Sequence, residues 1–219
     1  KKNNKLRNDR VVTIMVLFSQ HYMDYRAAKL FILRKMESEL TNKLTYHGMH
    51  HTLDVLKITS ELCEAEDISK KETKLLKTAA LFHDCGFTET YTNHEEKGCE
   101  IARKNLPEFG YSEDDIEKIC GMIMATKIPQ APKNLLEKII CDADLDYLGR
   151  KDFYSIGNTL FEEFKEYKVI LDEESWNRLQ VGFIGGHNYF TGTTLARRES
   201  KKQEYLQELK ELVASYENE

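Results

Sequence analysis

The sequence lacks most of what would mark a disulfide scaffold, a β-fold or a nucleic-acid binder. No two of its five cysteines, Cys63, Cys85, Cys99, Cys120 and Cys141, stand at C-x-x-C spacing, and their number is odd. That argues against a disulfide framework or a thiolate zinc site, and for a reducing, cytoplasmic compartment. Positive charge is not in excess: 32 Lys and Arg against 37 Asp and Glu leave −5. A nucleic acid polymer is therefore a poor partner, while a nucleotide stays open because a bound metal can supply positive charge. No apolar run reaches membrane-spanning length. Val11 to Phe18, behind the basic stretch Lys1 to Arg10, is too short and has no small-residue cleavage site after it. It reads as a buried first helix or strand. The first residue is not Met, so a trimmed chain or a piece of a longer protein is expected.

Proline is scarce at three residues, and no period-2 pattern, internal repeat or low-complexity tract appears. What is present reads as helix. Asp24 to Leu44 is rich in good helix formers, and Thr52 to Glu66 carries Leu53, Leu56, Ile58, Leu62 and Cys63. Ser69 and Glu72 make a capping box for a helix that should stop near Gly86. Helices are also expected from His94 to Leu106, from Ser112 through Ile123, and from an Asn134 cap along a stripe reaching Leu148. Asp152 to Tyr167 and Asp172 to about Ile184 follow, then a Gly185-Gly186 interruption and a last helix from about Thr194 to Tyr216. The expected architecture is a single all-α domain over 1–219, with an N-terminal helical segment (1–45), a central core (46–150) and C-terminal helices (151–219).

Three clusters set chemistry against this apolar background: Tyr46 to Val55 with His47, His50 and His51, Ala79 to Gly86 with His83 and Asp84, and Ile139 to Asp146 with Asp142, Asp144 and Asp146. Burying His and Asp without partners is costly, and one shared cation satisfies several at once. Any cluster alone has an ordinary reading, as a hydrogen-bonded buried His or the wet face of a helix. Their conjunction, in the order H…HD…D and each joined to an apolar helix, is far more specific.

In this conjunction the sequence resembles the HD superfamily of metal-dependent phosphohydrolases over about Tyr46 to Arg150. The resemblance implies an HD-domain helical bundle in which His51, His83, Asp84 and Asp144 ligate one divalent ion, with Asp84 also in the catalytic set. A nitrogen and oxygen donor set suits Mn, Fe, Mg, Ni, Co or Zn. Periodicity does not rank Asp142, Asp144 and Asp146, since all lie roughly 70–110° off the centre of the apolar stripe. The likeness of Ala143-Asp144-Leu145 to the A-D-L of related enzymes selects Asp144.

Tyr46-His47-x-x-x-His51-x-x-Asp54-Val55 is similar to the Y-H-x-x-x-H-A-x-D-V of class I cyclic nucleotide phosphodiesterases. There the first His donates the proton to the leaving oxygen, which makes His47 the expected general acid. The i, i+4 spacing would put both imidazoles on one helical face; the plain alternative is a polar residue at that helix's N-terminus. Gln180-Val181-Gly182-Phe183-Ile184 resembles the Q-x-G-F-I that holds a purine in those enzymes, which implies Gln180 on the base edge and Phe183 stacked on the ring. As plain sequence, Phe183 and Ile184 read as core.

The departures matter as well. Phe87 stands where phosphodiesterases continue H-D-x-x-H. Phe87-Thr88-Glu89-Thr90 lacks the Glu-Asp pair of guanosine-tetraphosphate hydrolases. His94 resembles the first of two further His ligands that some HD enzymes use for a second metal, but Ala125-Thr126-Lys127 stands where the other would fall. Arg197, Arg198, Lys201 and Lys202 read as a solvated helix face or as phosphate contacts. The expected function is metal-dependent hydrolysis of a small-molecule phosphate ester, a nucleotide first and a cyclic nucleotide as the lead. The alternative is a degenerate HD module that binds a nucleotide and signals without turnover.

Overall fold

The computed structural model describes residues 23–217; the expected element at Val11 to Phe18 lies outside them. Among the described residues there are nine α-helices and no strand. They are α1 (Tyr25–Glu39), α2 (Met49–Ala65), α3 (Lys70–Phe82), α4 (His94–Asn105), α5 (Glu113–Thr126), α6 (Leu135–Asp144), α7 (Phe153–Glu166), α8 (Glu173–Gly186) and α9 (Gly192–Ser215). Short 3-10 turns at Cys85–Thr88, Leu106–Phe109 and Asp146–Gly149 join some of them. No described helix is long and apolar enough to cross a membrane.

The caps read from the sequence bond as such caps do. Ser69 Oγ accepts from the Glu72 amide at 3.3 Å, Ser112 Oγ from Asp115 at 3.2 Å, and Asn134 Oδ1 from Glu137 at 3.1 Å. Five boundaries differ from expectation. α3 ends at Phe82, four residues before Gly86. α1 ends at Glu39, not Leu44, because Leu40 turns extended and Thr41 Oγ1 takes the Lys43 amide. α2 begins at Met49, three residues early, which puts His51 in its first turn. α6 stops at Asp144, so Tyr147 and Leu148 belong to a 3-10 turn and not to the helical stripe. The Gly185-Gly186 pair does not break a helix; it forms the last turn of α8.

Two apolar clusters divide the molecule. The larger joins α1 to α6 around fully buried Ile32, Leu76, Phe82, Ile119 and Ile139. The smaller gathers Tyr46, Leu145, Tyr147, Leu148, Phe153, Ile184, Tyr189 and Tyr205, under α7, α8 and α9. Glycine lets two backbones close in between. A Cβ on Gly86 would lie 1.9 Å from the His94 carbonyl oxygen, and one on Gly149 would lie 2.3 Å from that of Arg198. The first contact seats the turn after His83-Asp84 against the start of α4, and the second seats the turn after α6 against α9.

Candidate metal centre

The polar clusters meet because each sits at the end of a helix. His51 is in the first turn of α2, His83 and Asp84 follow the last residue of α3, and Asp144 closes α6. His51 Nε2 lies 3.1 Å from Asp144 Oδ1, 3.3 Å from His83 Nε2 and 3.4 Å from Asp84 Oδ2. His83 Nε2 lies 3.1 Å from Asp84 Oδ2 and 3.6 Å from Asp144 Oδ1. His83 Nδ1 donates to the Ala80 carbonyl at 2.9 Å, which orients the ring and leaves Nε2 to face the cluster.

This arrangement fits a cation. Ligand atoms of His51, His83 and Asp144 lie within 4.8 Å of one another, and Asp84 Oδ2 is buried with no hydrogen-bond partner. An orphaned carboxylate oxygen facing two imidazoles is costly unless positive charge fills the gap. Burial opposes ionisation of Asp84 and Asp144, yet the neighbouring imidazoles outweigh it, holding Asp84 well below the usual carboxylate range and Asp144 at about 2. Burial likewise opposes protonation of His83, and the Asp84 and Asp144 charges overcome it. A metal ion would take over from that proton. Cys85, next in sequence, is not among the residues whose ligand atoms converge; burial first, then the Asp84 charge, pushes its thiol far up.

The three acidic residues of the third cluster have three separate jobs. Asp142 is fully buried and accepts from the amides of Phe190 and Thr191, both at 2.8 Å, and from the Thr191 hydroxyl at 2.7 Å. It therefore ties down the entry to α9. Asp146 takes the Arg198 guanidinium at 2.7 Å. Asp144 alone of the three faces His51 and His83.

His47 departs from its expected setting, because Gly48 caps α2 and His47 precedes the helix. The i, i+4 argument for a shared helical face thus fails, although the His47 and His51 rings still lie 6.1 Å apart. What places His47 is Glu163 of α7, which no sequence cluster included. Its Oε1 lies 2.5 Å from His47 Nδ1, and its Oε2 accepts from the amides of Tyr46 and His47 at 2.9 and 3.0 Å. Burial works against charging His47, but the Glu163 hydrogen bond and then the Asp84, Glu163 and Asp144 charges outweigh it, so its pKa is raised. The sequence held one signal: Glu163 follows Ile156 by seven and Leu160 by three, a charge on the apolar side of a helix.

Phe87 fills the space between two imidazoles, stacked on His47 at 4.4 Å and on His94 at 3.9 Å between ring centres. His94 Nε2 stands 3.5 Å from Asp84 Oδ1, the oxygen turned away from His51 and His83. Burial foremost lowers its pKa, which favours the neutral ring.

Beside the cluster opens a cavity of about 370 Å³, lined by His47, Asp84, His94 and Asp144 at one end. Gln180 and Phe183, 96 or more residues downstream of Asp84, line the same cavity. Gln180 donates to Asn177 Oδ1 at 3.1 Å, leaving its carbonyl oxygen and one N–H for other partners. The basic run of α9 does not form one face. Arg198 pairs with Asp146, Lys201 with Glu204, and Lys202 is buried against the His187 carbonyl at 2.8 Å and Glu199 at 3.0 Å. The phosphate-contact reading is set aside for Arg198 and Lys202, whose charges are spent inside the protein.

Residues 48–146 match the model of the HD domain family. A protein of Clostridium beijerinckii, described as uncharacterized, is 30% identical over 92 residues, which cover 41% of this chain and 58% of that one. The matched stretch thus spans little more than half of this relative. The crystal structure of a predicted HD superfamily hydrolase from an uncultured Thermotogales bacterium superimposes with a TM-score of 0.56 at 20% identity, over 87% of this chain and 92% of that one. Over residues 48–146 the chain is thus similar to the HD domain family, and the likeness to the solved structure shows the same helical fold.

Proposed function

We propose that this protein is a metal-dependent phosphohydrolase acting on a small-molecule phosphate ester. The observation that carries the reading is the convergence of His51, His83, Asp84 and Asp144 around the unpartnered Asp84 Oδ2. A divalent ion held there would neutralise phosphoryl charge and acidify a water molecule. The chain's own residues supply the rest. His47, charged and aimed by Glu163, delivers a proton to the leaving oxygen, and Glu163 stays ionised to steady the imidazole. The five cysteines are free and buried, as suits a reducing cytoplasm.

Gln180 and Phe183 on the wall of this cavity favour a nucleotide, with the ring of Phe183 on the base and the Gln180 amide on its edge. A cyclic nucleotide is the first substrate to try. The test is metal analysis of the purified protein together with hydrolysis of bis-p-nitrophenyl phosphate. Near-stoichiometric metal and turnover are expected, and Asp84→Ala should lose both while keeping its helical circular dichroism. A wild-type protein that binds no divalent ion overturns the proposal.

A further inference from the structure

The cavity beside the metal centre is sharply divided in charge. Its His, Asp and Glu lining groups, His47, Asp84, His94, Glu95 and Asp144, lie together at the metal end. The rest of the lining carries no charge: apolar Leu148, Phe153, Leu160, Phe164 and Trp176 stand beside neutral Tyr147 and Gln180. Among the described residues no Lys or Arg lines it. Lys127, between the lining residues Thr126 and Ile128, gives its ammonium to Glu96 and Asn93. Apolar side chains continue to the rim, where Ile128 is 53% exposed, Val169 54% and Leu179 42%.

A second or third phosphate on a substrate would have to lie along this wall with no cation to meet it. An unpaired buried charge is among the most costly things a cavity can accept. The volume, at the small end of the range for ligand pockets, also limits the body to one compact unit. We propose that this cavity selects esters with a single phosphoryl group on an uncharged, compact, apolar or aromatic body, and rejects nucleoside di- and triphosphates. This rests on the phosphohydrolase reading for the position of the phosphoryl group, at the metal end. A nucleobase and a non-nucleotide aryl group share the required chemistry.

Trp176, the one tryptophan of the chain, lines the wall and reports on its occupancy. With Mn²⁺ present, its emission is titrated with benzylphosphonate, with a phosphorothioate of cyclic AMP and with adenosine 5′-(β,γ-imido)triphosphate, none of them readily hydrolysed. At least one of the first two should bind about tenfold or more tighter than the triphosphate. A tighter cyclic nucleotide identifies a base as the body, and a tighter benzylphosphonate a plain aryl group. Leu179→Lys, an exposed change at the rim, should narrow the gap by helping the triphosphate. Triphosphate binding as tight as the others, or no response to either single-phosphoryl ligand, overturns the proposal. Hydrolysis of bis-p-nitrophenyl phosphate by the same samples separates the two readings. Turnover with a preferred triphosphate sinks the selectivity alone, and the expected selectivity without turnover sinks the phosphohydrolase reading alone.

Discussion

At the metal end of the cavity, four side chains come from helix ends within about 100 residues of sequence. At the other end, Leu160, Phe164, Trp176 and Phe183 come from along the faces of α7 and α8. The first region concentrates buried polar groups whose mutual arrangement makes sense around a cation; the second is a wall of side chains that would serve equally as core. Glu163 is the exception that joins them, a fully buried carboxylate on the apolar side that reaches back to hold His47. The position of His47 thus depends on a helix outside the matched residues 48–146.

The largest effects should separate two carboxylates that stand two residues apart. Asp144→Ala is expected to remove most of the metal and the turnover with it. Asp142→Ala should keep the metal but leave the Phe190 and Thr191 amides unpaired, costing about 1–3 kcal/mol of stability. Metal content and urea unfolding of both variants check this, and a reversed pattern would mean that the ligand has been misassigned.

Next comes His47, the proposed proton donor. His47→Asn should retain metal and lose roughly 10²–10⁴-fold in turnover of esters with poor leaving groups. The loss should shrink for p-nitrophenyl esters, whose leaving group barely needs a proton. An equal loss on both kinds of ester would make His47 a structural residue.

Glu163→Gln tests the link between the two regions, with an expected loss of roughly 10–100-fold, as for other partners that orient a functional imidazole. A general acid must be protonated, so activity falls as pH rises through the pKa of His47. Glu163 raises that pKa, and removing its charge should move the basic limb of the kcat/KM profile to lower pH. An unmoved limb would assign the titration to another group.

The smallest effect belongs to the wall. Gln180→Ala should cost about 1–3 kcal/mol in kcat/KM for a purine substrate and leave bis-p-nitrophenyl phosphate unaffected. If both substrates suffer alike, or neither does, Gln180 does not read a base.

The metal end was legible in the sequence because polar residues beside apolar helices are conspicuous, and because Ser69, Ser112 and Asn134 carry their helix starts locally. Helix ends were less so: α1, α2, α3 and α6 differ from expectation by three to five residues at one end. There the caps compete with turns whose outcome depends on packing. Phe87 could be read as a departure from a motif, but not as the ring stacked between His47 and His94.

By itself the sequence determined the all-helical class and singled out the His and Asp residues that the fold brings together, since periodicity, capping and the cost of buried charge are local properties. Tertiary structure decided which of Asp142, Asp144 and Asp146 faces the imidazoles, because all three lie at similar angles to one stripe and only the position of α9 gives Asp142 and Asp146 their other partners. It also decided the partnership of His47 with Glu163, 116 residues away, which no local pattern encodes.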